Sequence, residues 1–316
     1  MAHAVQSLDS QDRKAAGSLA RGFYALAALT YCLIVLGALV RAHGAGLSCP
    51  DWPLCFGAII PEFNFQIAFE WGHRAIAGSV AILFSILAWA TLRRPGLNRS
   101  MRKGLLIAAI LLAAQIVLGG LTVLQLLAYW TVTSHLVTGN AFALVLVLLA
   151  RRLATLRRSH SSKDAALKAT SAQRLMTTLA GGTLATQIVL GGLVASKYAG
   201  LACPDWPTCM NDEFFPTWTG IQGLHLFHRM VGYSTGIAIA IAAWLGRSHP
   251  GTRQFLMTAA GLALAQIAVG VANVLLRVPV EITGLHSALA AALVCTMGVA
   301  VYEVWRARAP IQIATE

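Results

Sequence analysis

Acidic side chains are scarce in this chain: 12 Asp and Glu among 316 residues, against 24 Lys and Arg, with all charged residues making up only 11%. An ordinary soluble domain needs about twice that share of charge to cover its surface. Cysteine is also sparse, six in all, which excludes a disulfide-dense secreted scaffold. Long polar stretches are absent between residues 22 and 154 and again between 174 and 304. What fills those regions is apolar: 57% of the chain, with a mean hydropathy of +0.67. This composition specifies an all-α integral membrane protein.

A hydrocarbon core of about 30 Å takes a helix of about 20 apolar residues. Runs of that kind fall at 22–43, 66–92, 103–126, 131–151, 174–196, 220–246, 253–276 and 281–304. The first is too long for a signal-peptide core and has no small-residue cleavage pattern after it, so it reads as a retained helix. Basic residues crowd one set of connections. They precede span 1 (Arg13, Lys14, Arg21), lie between spans 2 and 3 and between spans 4 and 5, and follow spans 6 (Arg247, Arg253) and 8 (Arg306, Arg308). The opposite side has Arg41, Lys197 and Arg277. By the positive-inside rule both termini are cytoplasmic, and the net charge of +12 marks topology and anionic lipid headgroups rather than nucleic acid.

The chain repeats itself. Gly46-Leu-Ser-Cys49-Pro-Asp-Trp-Pro-Leu-Cys55 returns as Gly200-Leu-Ala-Cys203-Pro-Asp-Trp-Pro-Thr-Cys209. His73-Arg74 recurs as His228-Arg229, and Gln115 with His135 as Gln266 with His286. A four-helix unit used twice keeps its orientation, so two tandem bundles related by a pseudo-two-fold axis along the membrane normal are expected. The division is a cytoplasmic tail at 1–21, bundles at 22–154 and 174–304, a basic linker at 155–173 and a tail at 305–316. Gly37, Gly119-Gly120 and Gly191-Gly192 read as sites of close helix packing.

Topology sorts the nine histidines. His3, His160 and His249 fall in cytoplasmic segments, and His43 ends span 1 as a surface residue or a gate. His73 and His135 lie about 6–10 Å below the outer boundary by a rise of about 1.5 Å per residue, and His228 with His286 repeat the arrangement. Two histidines at matched depth in a four-helix bundle can hold a haem iron from both sides. Zinc fits poorly, since a closed site wants four ligands. Cys32 and Cys295, each alone in a span, read as packing residues.

Charged groups at membrane depth mark functional sites. Glu70 stands one helical turn before His73, where the second half has His225. This asymmetry points to chemistry in the first half and a resident cofactor in the second, against the alternative of a solvated glutamate at a helix start. Arg74 and Arg229 suit either a haem propionate or the lipid headgroups. Cys49 with Cys55 and Cys203 with Cys209 face the side where disulfides persist, and their spacing predicts a close pair in each loop, as a structural clip or a redox-active dithiol. Trp52 and Trp206 suit interfacial anchors.

The string Glu70-X-X-His73-Arg74, with His135, His228-Arg229, His286 and cysteine pairs in the first and third outside loops, resembles the haem A synthase family over residues 22 to 304. The resemblance implies oxidation of the C8 methyl of haem O to a formyl group by successive hydroxylations. It assigns His228 and His286 to a haem b cofactor and His73 and His135 to the iron of the substrate, with Glu70 as base or charge stabiliser. His225 stands as a second histidine beside His228. Implied partners are haem O handed over by a haem O synthase, an electron donor that the motifs do not name, and the lipid of the cytoplasmic (inner) membrane, in a state compatible with a homo-oligomer. The rival readings are a dihaem b electron-transfer protein, a membrane thiol-disulfide oxidoreductase using the loop cysteines and, more weakly, a solute transporter.

Overall fold

The computed structural model describes residues 9–158 and 169–306. His3, His160, Lys163, Lys168 and Arg308, with most of the expected linker and tails, lie outside the described residues. Eight long helices follow one another: α1 Ser10–Ala42, α2 Phe65–Leu92, α3 Pro95–Leu124, α4 Tyr129–Arg158, α5 Ser171–Ser196, α6 Gly220–Gly246, α7 Arg253–Leu275 and α8 Val280–Arg306. All eight are long and apolar enough to cross a membrane, which makes this a multi-pass membrane protein.

The helices outrun the apolar stretches at the end that carries the termini. Residues 10–21, expected as part of a cytoplasmic tail, are the first three turns of α1. Asp9 caps them by accepting from the Asp12 N–H, and Ala16, Ala20 and Phe23 are buried. The Cβ that Gly17 lacks would stand 2.9 Å from Arg157 Cδ, so the extension lies directly on the last turns of α4. Hydropathy marks where a helix enters lipid. Capping and packing decide where it begins.

Each set of four helices has its own interior. One cluster joins Phe23, Phe84, Met101 and Leu146 from α1 to α4; the other joins Leu184, Ile239, Leu256 and Met297 from α5 to α8. Between the sets, α1 packs on α8 and α4 packs on α5 and α8. Polar ties cross the seam. Tyr31 Oη donates to the Ala288 carbonyl at 3.1 Å, and the Thr133 and Ser196 hydroxyls meet at 3.1 Å. The Arg41 guanidinium donates to the Ala195 carbonyl and stacks 4.9 Å from the Tyr198 ring. At the opposite end Arg151 pairs with Glu303, which Arg306 approaches to 3.6 Å. Trp89 under Arg93 and Trp244 under Arg247 sit at matching helix ends, as interfacial anchors do.

Candidate functional site

The two cysteine loops lie at the end opposite the termini, and both disulfides are formed, Cys49–Cys55 and Cys203–Cys209. All four cysteines are at most 1% exposed. A redox-active pair must be reached by a partner thiol; these are enclosed, which favours the clip.

The side chains expected to face a cofactor hold these clips. Arg74 Nη1 donates to the carbonyls of Asp51 and Leu54 (2.8 and 2.6 Å), and Nη2 donates to the Cys49 carbonyl and to Glu70 Oε1 (3.0 and 2.6 Å). Glu70 is 4% exposed, and its second oxygen accepts the Cys49 N–H at 2.9 Å. The other half repeats the device. Arg229 donates to the carbonyls of Thr208, Cys203 and Asp205 at 2.7–3.0 Å, and His225 Nδ1 accepts the Cys203 N–H at 3.2 Å. Arg229 Nε lies 3.4 Å from His225 Nε2. Thus the guanidiniums engage loop carbonyls, whereas the sequence had offered propionates or headgroups. His225 occupies the slot of Glu70 and is committed there, leaving His228 as the ligand candidate on α6.

Asp51 anchors the tip of the first loop, accepting from the Phe56 and Gly57 N–H groups at 2.7 and 2.8 Å. The bond from Gly57, chief among these, holds its carboxyl below the usual carboxylate range. Trp52 folds back so that its ring would lie 3.0 Å from a Cβ on Gly120, which carries the loop from α1 and α2 across to α3. Trp206 instead donates from Nε1 to the Tyr233 hydroxyl at 3.0 Å. His43, at the end of α1, meets the edges of Phe65 and Phe69 at 5.4 and 5.2 Å.

One helix position before each clamp arginine of α2 and α6 is an interior histidine, His73 or His228, and these two are seated like His135 on α4 and His286 on α8. The Cε1 edge of His73 faces Gly37, that of His135 faces Gly119, that of His228 faces Gly191 and that of His286 faces Gly270, at 3.0–3.3 Å from the Cβ each glycine lacks. An imidazole therefore lies flush on the preceding helix, and a side chain there would displace it. Nδ1 of His73, His135 and His286 is enclosed without a hydrogen-bond partner, a costly state for a buried polar atom that a bound group would relieve. His73 lies within electrostatic reach of His135, and His228 of His286, so the rings come as two pairs. No cluster of three or more His, Cys, Asp or Glu suited to a bare metal ion occurs among the described residues.

Sequence reasoning took the glycines for helix packing and missed Gly270 and Gln187. The signal was present as Gln-X-X-X-Gly in α3, α5 and α7 (Gln115 to Gly119, Gln187 to Gly191, Gln266 to Gly270). Residues four apart share a helix face, so each glutamine stands beside a histidine's seat.

Eight membrane helices with two interior histidine pairs beneath clamped loops define a polytopic membrane protein. The chain belongs to the COX15-CtaA family, described as cytochrome oxidase assembly protein, whose profile matches residues 20–68 and 59–297. Among its relatives is the Heme A synthase of Shewanella oneidensis, 27% identical over 87% of this chain and 93% of the relative. The Heme A synthase of Hyphomonas neptunium is 28% identical over 95% of this chain and 96% of its own length.

Proposed function

We propose that this chain is a haem A synthase, a membrane oxidoreductase that converts the C8 methyl of haem O to a formyl group. The observation that supports this best is the pair of seated histidine couples in a chain of this family. Both couples fit a haem: two imidazole nitrogen donors each, every ring seated flush on a glycine, and an enclosed Nδ1 without a partner on His73, His135 and His286. His228 and His286 would hold a haem b, and His73 and His135 would take the iron of the substrate. Bound haem supplies the redox chemistry; the protein positions, shields and sets charge.

In this reading residues 22–154 and 174–304 are tandem bundles about a pseudo-two-fold axis along the membrane normal, with termini in the cytoplasm and cysteine loops outside. Both oxygens of Glu70 accept hydrogen bonds, so the carboxylate is held one helical turn before His73, paired with Arg74 and fastened to the loop at Cys49. Arg74 and Arg229 act on haem through the loops they fasten. The thiol-oxidoreductase alternative loses support from the enclosed disulfides.

Expression in cells that make haem O, followed by pigment extraction and mass analysis, tests the reading. Haem A or a hydroxylated haem O should accumulate and disappear in Glu70→Ala. Haem b alone in both halves, with no oxidised product, would leave the dihaem electron-transfer protein.

A further inference from the structure

The two histidine pairs are seated alike but not held alike. In the second half Gln187 Nε2 lies 3.1 Å from His228 Nδ1 and donates to the His228 carbonyl at 3.0 Å. Gln266 Nε2 lies 3.2 Å from His286 Nε2. Each ring thus has a glutamine amide at its nitrogen edge, and that of Gln187 also lies 3.4 Å from His228 Nε2. The Oε1 atoms of both glutamines are enclosed without a partner, so each amide keeps an acceptor in reserve for the N–H that an iron-ligating imidazole carries on its other nitrogen.

The first half lacks both side-chain amide holds, for two separate reasons. Gly37 and Gly191 occupy equivalent places, and four residues before them stand Leu33 and Gln187. Leu33 packs into the apolar cluster of α1 to α4 and offers His73 nothing polar. On α3 the glutamine is present as Gln115, but its carbonyl accepts from the Thr138 hydroxyl. The equivalent of Thr138 on α8 is Leu289, which cannot compete for Gln266. The His135 ring has the backbone carbonyl of Gln115 as its partner in place of the amide side chain, and its Nδ1 is unpartnered.

A ligating histidine whose second nitrogen is held keeps its tautomer and ring plane, and losing that hold typically costs 10–100-fold in affinity. We propose that Gln187 and Gln266 are positioning residues that make His228 and His286 a permanent ligand pair, while Leu33 and Thr138 leave His73 and His135 as a pair that can release what it binds. A substrate site must let its product go; a cofactor site must not. The inference rests on the haem reading above and adds which residues set residence time in each half.

The test uses the full chain, purified in mild detergent from cells making haem b and haem O. Bound haems are identified by mass, low-spin signals are read by electron paramagnetic resonance, and transfer to apomyoglobin is timed. Wild-type protein free of haem would sink the functional reading itself, whatever the glutamines do. With haem bound, Gln187→Leu with Gln266→Leu should speed loss of haem b about 10–100-fold and shift its low-spin signal. Thr138→Val, which frees Gln115 for His135, should slow release of the haem held in the first half about tenfold and leave haem b unchanged. Transfer rates within about twofold of wild type in the double variant or in Thr138→Val overturn the inference. If the double variant does not fold, Thr138→Val decides alone.

Discussion

At the scale of single residues, Glu70 and His225 do one job with different chemistry. Each accepts the N–H of the first cysteine of its loop, yet only Glu70 brings a full negative charge against Arg74. Glu70→His therefore copies the second half into the first. The protein should fold with its first disulfide formed, and haem A production should fall at least tenfold, as checked by pigment analysis beside a non-reducing gel. Full activity would make Glu70 a loop clamp and nothing more. The arginines are less replaceable, because a lysine cannot present the planar fork that reaches several carbonyls at once. Arg229→Lys should lower stability by about 1–3 kcal/mol, the cost of leaving buried acceptors unmade, seen as a drop in thermal midpoint in detergent. Asp51 makes the first loop acid-sensitive. A carboxyl held low in the folded state stabilises it above the ordinary carboxylate pKa of about 3.9, and that contribution disappears as pH falls through the lower folded value. Amide exchange at Phe56 and Gly57 should speed up only below about pH 4, and Asp51→Asn should remove the acid step.

At the scale of elements, helices were legible in the sequence and their ends were not. Span 6 falls on 220–246 as expected, and α2 differs from its expected start by one residue, because a polar loop abuts the apolar run directly. α1, α3 and α4 continue for several residues past the hydrophobic stretch, since Asp9, Pro95 and the α1 to α4 contact sustain helix where hydropathy is silent. The histidines were found because ionisable groups stand out in lipid; their glycine seats were not, because the absence of a side chain reads the same for two helices in contact as for a ring resting on one. The carbonyls that Arg74 and Arg229 fasten were not legible, because only a folded loop brings them to the guanidiniums. The start of α6 gives a further check. A Cβ on Gly223 would stand 2.2 Å from the backbone carbonyl of Trp218, and backbone cannot yield as a side chain tip does. Gly223→Ala should cost at least about 2 kcal/mol, in the range of strained or overpacked sites, measured by thermal unfolding.

For the whole molecule, two interiors and one polar seam describe the architecture. Each half has its own apolar cluster, while Arg41, Tyr31, Thr133 and the Arg151–Glu303 pair join them. Two fragments made by cutting between residues 159 and 168 should therefore associate when co-expressed and copurify through a tag on one. Glu303→Gln, which leaves Arg151 and Arg306 facing each other, should weaken that copurification.

The clamp arginines reach the loops through backbone carbonyls, at residues 49, 51 and 54 in one and 203, 205 and 208 in the other. A carbonyl is the same atom pair in every amino acid. The clamps thus read the course of the loop backbone and no side chain on it, while Asp51 and Trp52 hold that course from within the first loop.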